Sequence, residues 1–288
     1  MTPSLPDPAR TIAFQGSHGA YSDLACREAY PDMTTLPCET FEETFAAVSE
    51  GRAARAMIPI ENSVAGRIAD IHHLMPESGL HIIAEHFQSV KHHLLAPPGA
   101  TLEGLKKVHS HIHALSQCRG LIRELDLKPV VHADTAGAAA QIAESGEPSE
   151  AAIASALAGE IYGLKSLRHG IEDAEHNTTR MVVMAAEPTD PDPAKGPVIT
   201  TCVFRVRSVP AALFKALGGF ATNGVNLTKL ESYIVDDRFT VAQFYVDIDG
   251  HPEQTPVRLA LEELSFFSRQ VTILGVYPAS PFRRGQKG

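Results

Sequence analysis

The sequence predicts an α/β protein built as two lobes around a cleft, followed by a small ferredoxin-like sandwich. Three observations predict this. Short apolar runs alternate with helical periodicity from residue 11 to residue 185. The stretch from Glu187 to Pro197, with four prolines and one glycine, then interrupts the alternation, and such a segment cannot continue a helix or a central strand. Beyond it the order becomes β-α-β-β-α-β. The chain has 288 residues, more than one core usually serves, since domains hold roughly 100–200 residues. The expected boundaries are 10–187 for the first domain, 188–197 for a linker and 198–279 for the sandwich. Within the first domain, one lobe takes 10–90 and 170–187 and the other takes 91–169.

Each element follows from its pattern. Thr11–Phe14 reads as a buried strand, and Phe41, Phe45 and Val48 recur at helical spacing. Arg55–Ile60 is a strand, after which Val64, Ile68, Ile71 and Leu74 mark a helix. Leu80–Ala84 and Val90–Ala96 are extended and suit strands crossing between lobes. Lys107–Ser110 is a short strand, and Leu115, Cys118, Ile122 and Leu125 lie on the helix after it. Val130–His132, Ala136–Ala143, Ala151–Ser155 and Leu157–Tyr162 continue the alternation, and Thr179–Ala185 closes it. In the sandwich, Val198–Val206 is a strand and Ala211–Ala221 a helix with Leu213, Leu217 and Phe220 on one stripe. Asn226–Val235 and Phe239–Ile248 are strands joined by a tight turn at Asp236-Asp237. Thr255–Phe267 is a helix and Gln270–Tyr277 the last strand.

Composition excludes several functions. No run of 18 apolar residues exists to span a membrane, and the proline-containing N-terminus lacks the apolar core of a signal peptide. Four separated cysteines without a CxxC pair fit a reducing cytoplasm. A net charge of −9 disfavours nucleic acid. No glycine-rich phosphate cradle and no G-x-S-x-G elbow occurs. Of fourteen histidines, the pairs His72-His73 and His92-His93 point apart, and neither they nor His111 and His113 have a Glu-x-x-His partner. No metal or other cofactor is expected.

Four segments carry candidate chemistry. Gly16–Ser22 follows the opening strand, where two glycines admit a ligand and a helix N-terminus brings positive potential; an ordinary strand-to-helix turn fits equally well. Glu61-Asn62-Ser63 ends a buried strand. Capping explains Asn62 or Ser63, but not three polar residues together. Ser110 stands at another strand-to-helix junction, and Gln117 follows two turns on, on a shared face. In His176-Asn177-Thr178-Thr179-Arg180, Asn177 and Thr179 face one side of an extended chain and Arg180 the other; a polar strand start reads the same way.

Together these segments resemble the prephenate dehydratase family over nearly the whole chain. The family's opening turn is similar to Gly16–Ser22, its P-I-E-N-S-x-x-G element to Pro59–Gly66, its S-H-x-x-A-x-x-Q-C element to Ser110–Cys118, and its N-x-T-R-F element to Asn177–Met181, with Met181 in place of Phe. The resemblance implies a two-lobed, periplasmic-binding-protein-like catalytic region and a C-terminal ACT domain. It implies decarboxylating dehydration of prephenate to phenylpyruvate in L-phenylalanine biosynthesis, without a cofactor. Thr179 is the implied catalytic residue. Ala20, Ser22, Asn62, Ser63, Gly66, Ser110, Gln117, Asn177 and Arg180 are the implied substrate-binding residues. Strand alternation ranks Arg180 below the others, and Glu61 would repel a dianion unless it acts from behind the site. Feedback by L-phenylalanine is implied at an ACT–ACT interface, through Ala212, Leu213, Asn223, Gly224, Asn226, Leu227, Glu231 and Ser232. A homodimer or homotetramer follows. Ala211 stands where the family usually has Gly, and Tyr233-Ile234 where it often has Arg-Pro. Arogenate dehydratase and a non-catalytic amino-acid sensor are the rival readings.

Overall fold

The computed structural model describes residues 7–68, 71–174, 176–207, 209–235 and 242–285. By density of contacts the chain forms two units, Met1–Ile68 with His86–Met181, and Ala69–Glu85 with Val182–Gly288. Among the described residues the strands make three sheets.

The chain opens with β1 (Thr11–Gln15), α1 (Tyr21–Ala29), β2 (Thr34–Cys38), α2 (Phe41–Ser49), β3 (Arg55–Asn62), β4 (Gly66–Arg67), α3 (Ile71–Glu77) and β5 (His81–Ser89). It continues through β6 (His93–Ala96), β7 (Lys107–His111), α4 (Ile112–Gln117), α5 (Arg119–Glu124), β8 (Lys128–His132), α6 (Thr135–Ser145), β9 (Glu150–Ala154), α7 (Ala156–Tyr162), β10 (Lys165–His169) and β11 (Thr178–Ala185). The first sheet runs β2-β1-β3-β11-β5, with β4 hairpinned on β3. The division between units passes through β5 and β11. In this sheet β1 lies parallel to β2 and β3. Ile12, Phe14, Met57, Ile58 and Ile60 are fully buried, the near-continuous apolar pattern of strands covered on both faces. The second sheet runs β10-β6-β9-β7-β8 over a core that includes Leu94, Val108, Leu115, Cys118 and Ile153. Two of its helices begin on side-chain caps, with Asp134 accepting from the Gly137 N–H for α6 and Ser155 from the Ala158 N–H for α7. Gly146 and Gly163, both left-handed, end these two helices.

The second unit contains β12 (Val198–Val206), α8 (Ala212–Thr222), β13 (Leu227–Ile234), β14 (Ala242–Asp249), α9 (Thr255–Phe267), β15 (Ser268–Pro278) and α10 (Phe282–Gly285). The antiparallel order β13-β14-β12-β15 is that of a ferredoxin-like sandwich. Helices α8 and α9 cover Cys202, Phe204, Phe244 and Val246 on one sheet face. On the other face, α3 sets the His72 ring against Tyr233 and Tyr245.

Some local expectations fail for identifiable reasons. The helix expected from Val64 is a β-hairpin turn instead, and α3 starts only at Ile71. Gly66 at φ 84 lies outside the right-handed helical region, and the Asn62 side chain takes the Val64 and Ala65 N–H groups into its own turn. The helix expected through Leu125 breaks at Cys118, because the Asp173 carboxylate accepts the Arg119 and Gly120 N–H groups and starts α5 afresh. Strands β2 and β10 escape the sequence pattern because both are edge strands of their sheets and only partly buried. The Asp236-Asp237 turn and the start of the strand expected at Phe239 lie outside the described residues. The stretch 188–197 is pinned within its unit, with the Thr189 hydroxyl donating to the Val276 carbonyl and Asp190 facing His251.

Candidate active site

Strand β3 ends in Asn62 and the chain turns at once. The Asn62 Oδ1 accepts the Val64 N–H at 3.0 Å and the Ala65 N–H at 2.8 Å. Its amide NH2 is left as a double donor, to Asn177 Oδ1 at 2.7 Å and to Thr179 Oγ1 at 3.0 Å. Those acceptors are two apart on an extended chain and so share a face. Asn177 Nδ2 donates in turn to Gln117 Oε1, at the end of α4, at 2.9 Å. Ser63 clamps the turn to β11: its hydroxyl donates to the His176 carbonyl at 2.9 Å and accepts the Thr178 N–H at 3.0 Å. Asn62, Ser63, Gln117, Asn177 and Thr179 therefore form one hydrogen-bonded cluster drawn from three separate stretches of sequence. A cavity of about 150 Å³ adjoins it, with Gln117, Asn177, Ser116 and His113 in its wall.

The remaining expected residues are placed differently. Ser22 is buried in the first turn of α1, and Ala20 caps that helix without a side-chain bond; no hydrogen bond joins either to the cluster. The α1 start reaches the cluster through residues that sequence reasoning passed over. The Tyr21 hydroxyl lies 2.8 Å from His92 Nδ1, and His92 Nε2 lies 3.0 Å from Gln117 Oε1. Ser110 is fully buried and donates to the Ile153 carbonyl. It sits on β7, in the strand expected over Lys107–Ser110, but His111 rather than Ser110 caps α4. Gly66 is exposed and serves the hairpin. Arg180 alternates with Thr179 along β11 and pairs with Glu61 at 3.2 Å.

Electrostatics follow from burial and partners. Burial pulls the His92 pKa below its ordinary value, against the opposing pull of Gln117 and Glu172. Burial alone would raise the Asp23 carboxyl, but Arg27 and the Gly19 N–H overcome it and hold the group below the usual carboxylate range. Glu172 is likewise depressed: burial opposes, and Lys91 with the His92 N–H prevails. Among the described residues no three His, Cys, Asp or Glu side chains are grouped to hold a metal ion. Thr179 Oγ1 accepts from Asn62, and among the described residues no acceptor takes its proton. The arrangement is chemically an oriented hydroxyl with a proton to give.

A family model described as prephenate dehydratase matches residues 12–189. The chain belongs to the prephenate dehydratase family. It is accordingly a lyase-type enzyme. A bifunctional N-acyl-homoserine lactone acylase/prephenate dehydratase of Komagataeibacter europaeus is 57% identical over 276 residues, covering 96% of this chain and 98% of that protein. Arogenate dehydratase 2 of Petunia hybrida is 38% identical over 282 residues, covering 93% and 71%. The structure of the Arthrobacter aurescens prephenate dehydratase in complex with L-Phe superposes with a TM-score of 0.84 at 31% identity, covering 93% and 90%.

In the C-terminal unit, Ala212 and Leu213 open α8, while Asn223 caps its far end and Gly224 follows at φ 65. Asn226 donates to Asp249, and Leu227 starts β13. These two groups are separated by the eleven residues of α8, roughly 16 Å at 1.5 Å per residue. Glu231 and Ser232 lie within β13, with Glu231 accepting from Lys229 at 2.6 Å. Ala211 holds φ 60, ψ 17, the left-handed region that costs a residue with a Cβ roughly 1–2 kcal/mol and glycine almost nothing. Among the described residues no helix is long and apolar enough to cross a membrane.

Proposed function

We propose that the chain is a cytoplasmic prephenate dehydratase in which the Thr179 hydroxyl hydrogen-bonds the departing ring oxygen and relays a proton to it, taking another from solvent rather than staying ionised. In that reaction the carboxylate carbon leaves as carbon dioxide and its bonding electrons pass through the ring. The ring C–O bond breaks, and the oxygen departs as water after taking one proton. Aromatisation supplies the driving force. The observation that carries the reading is the double donation from Asn62, which occupies the Thr179 oxygen and leaves its proton directed elsewhere. A placed proton donor contributes roughly 10²–10⁴-fold. The substrate is a dianion and the chain is acidic, so its carboxylates need neutral donors, and the Gln117 amide and the first N–H groups of α1 are suited to that role. The pairing with Glu61 favours Arg180 as a support for β3 over a direct substrate partner.

In the same proposal the C-terminal sandwich is an ACT domain that binds L-phenylalanine where two chains meet as a homodimer or homotetramer. Support comes from the complex with L-Phe named for the Arthrobacter protein. The exposed Phe214 at the start of α8, and the exposed Leu230 and Ile234 on edge strand β13, fit an interface. The two groups of expected effector residues lie apart in one chain, and a second chain would let them meet.

The test is incubation with prephenate and with arogenate, following phenylpyruvate and phenylalanine, with and without added L-phenylalanine. Preference for arogenate would reassign the substrate within the same chemistry. A second activity is favoured by the name of the 57% identical relative, which spans almost this whole chain. Release of homoserine lactone from an N-acyl-homoserine lactone, tested in wild type and in Thr179→Val, would establish it and show whether it shares the site.

A further inference from the structure

We propose that Tyr21 and His92 are positioning residues that fix the Gln117 amide with its NH2 group turned into the cavity as a donor. Backbone N–H groups set the proton directions from one end, and at the other the Tyr21 hydroxyl chooses between two acceptors, His92 Nδ1 and the Lys91 carbonyl. The Val64 and Ala65 backbone N–H groups can only donate, so the Asn62 atom they meet is oxygen and its other atom is NH2. That NH2 meets Asn177, so the Asn177 atom facing it is oxygen. The Asn177 NH2 then donates to Gln117, whose facing atom is Oε1. The same Oε1 lies 3.0 Å from His92 Nε2, so that nitrogen carries the hydrogen. Burial pulls the His92 pKa down and so favours the neutral ring, and neutral imidazole has one N–H. On that assignment Nδ1 is an acceptor, and the Tyr21 hydroxyl at 2.8 Å donates to it in preference to the Lys91 carbonyl at 2.9 Å. Burial first, then the neighbouring Cys118 and Glu172, raise the Tyr21 pKa and keep that proton in place.

The competing state is equally definite. Tyr21 also lies 2.9 Å from the Lys91 carbonyl. If its proton went there, His92 would carry hydrogen on Nδ1 and present a lone pair at Nε2. Gln117 would turn its NH2 inward to meet it, leaving a carbonyl toward the cavity and the Asn177 NH2 facing another donor. A carbonyl there would repel an anionic substrate. In the proposed state Gln117 Oε1 accepts twice, and among the described residues no acceptor takes the NH2 of Gln117, a residue of the cavity wall.

That a substrate carboxylate is what the NH2 meets rests on the function proposed above; the tautomer does not. The 288-residue chain labelled with ¹⁵N-histidine tests the tautomer, with the His92 signal identified by its loss in His92→Gln. The expected spectrum shows a pyrrole-type Nε2 and a pyridine-type Nδ1, and in Tyr21→Phe a shift toward the reverse pattern. A pyrrole-type Nδ1 in the wild type overturns the proposal whatever the enzyme turns over. Kinetics on prephenate test the consequence. A glutamine at 92 can place an N–H near the Nε2 position, whereas an asparagine reaches only Tyr21. His92→Gln should keep most of kcat/KM, while His92→Asn and Tyr21→Phe raise KM about tenfold or more, the size expected for losing a hydrogen bond to a charged group. Equal kinetics in the Gln and Asn variants, with equal thermal stability, contradict it. Should His92→Asn fail to fold, Tyr21→Phe carries the same comparison.

Discussion

Asn62 does two jobs with one amide: its oxygen holds the turn after β3, and its NH2 holds the oxygen of Thr179 and the carbonyl of Asn177. Replacing that NH2 by a second oxygen should damage chemistry more than fold. In Asn62→Asp the turn keeps its acceptor, but Thr179 loses its donor and gains an acceptor that competes for its proton. Assayed on prephenate, kcat should fall roughly 10²–10³-fold, the effect of removing one preorganised donor, while the urea midpoint moves little. At this scale the sequence was informative where alternation along a strand decides. Asn177 and Thr179 on one side and Arg180 on the other follow from a period of two. It was silent on Tyr21 and His92, whose contact spans 71 residues of chain and leaves no local pattern; His92 drew notice only as half of a histidine pair.

Elements meet at the start of α1 with little tolerance. Gly19 holds φ 89, and a Cβ there would lie 2.7 Å from the Ala158 Cα at the start of α7. The Gly19 carbonyl also accepts from Ser155, the cap of α7. Gly19→Ala should therefore cost about 1–3 kcal/mol as overpacking against backbone, read as a lower midpoint in urea. One turn later the buried Asp23 carboxylate accepts from the Gly19 N–H and from Arg27. Its folded pKa is depressed, so it contributes stability that is complete above its unfolded pKa of about 3.9. That stability is lost as the pH falls through the lower folded value. Unfolding free energy followed from pH 6 to pH 3 should drop less steeply in Asp23→Asn than in the wild type. The strands and helices themselves were legible where both faces or one full stripe are apolar, as in Ile12–Phe14 or Met57–Ile60. The helix expected from Val64 was not, because Val64, Ile68, Ile71 and Leu74 keep helical spacing while Gly66 and the Asn62 side chain impose a turn. Of those four apolar residues only Ile71 is buried and Val64 is exposed, so no buried stripe accompanies the spacing and the backbone obeyed the turn.

For the whole molecule, the βαββαβ order after the proline-rich stretch was readable because each element there is longer than its connections. What would bring the two groups of effector residues together was not, since they stand at opposite ends of α8 in one chain. All four cysteines, Cys26, Cys38, Cys118 and Cys202, are free and buried, and burial raises each thiol pKa. A thiol reagent at neutral pH should leave the native protein unmodified and titrate four groups after denaturation, which makes labelling a check that every variant above is folded. The most direct measurement is phenylpyruvate formation from prephenate by the purified wild type and by Thr179→Val, both shown by that labelling to be native. The geometry predicts product from the wild type and a loss of roughly 10² or more in the variant. Comparable turnover in both proteins would contradict the role given to the Thr179 hydroxyl.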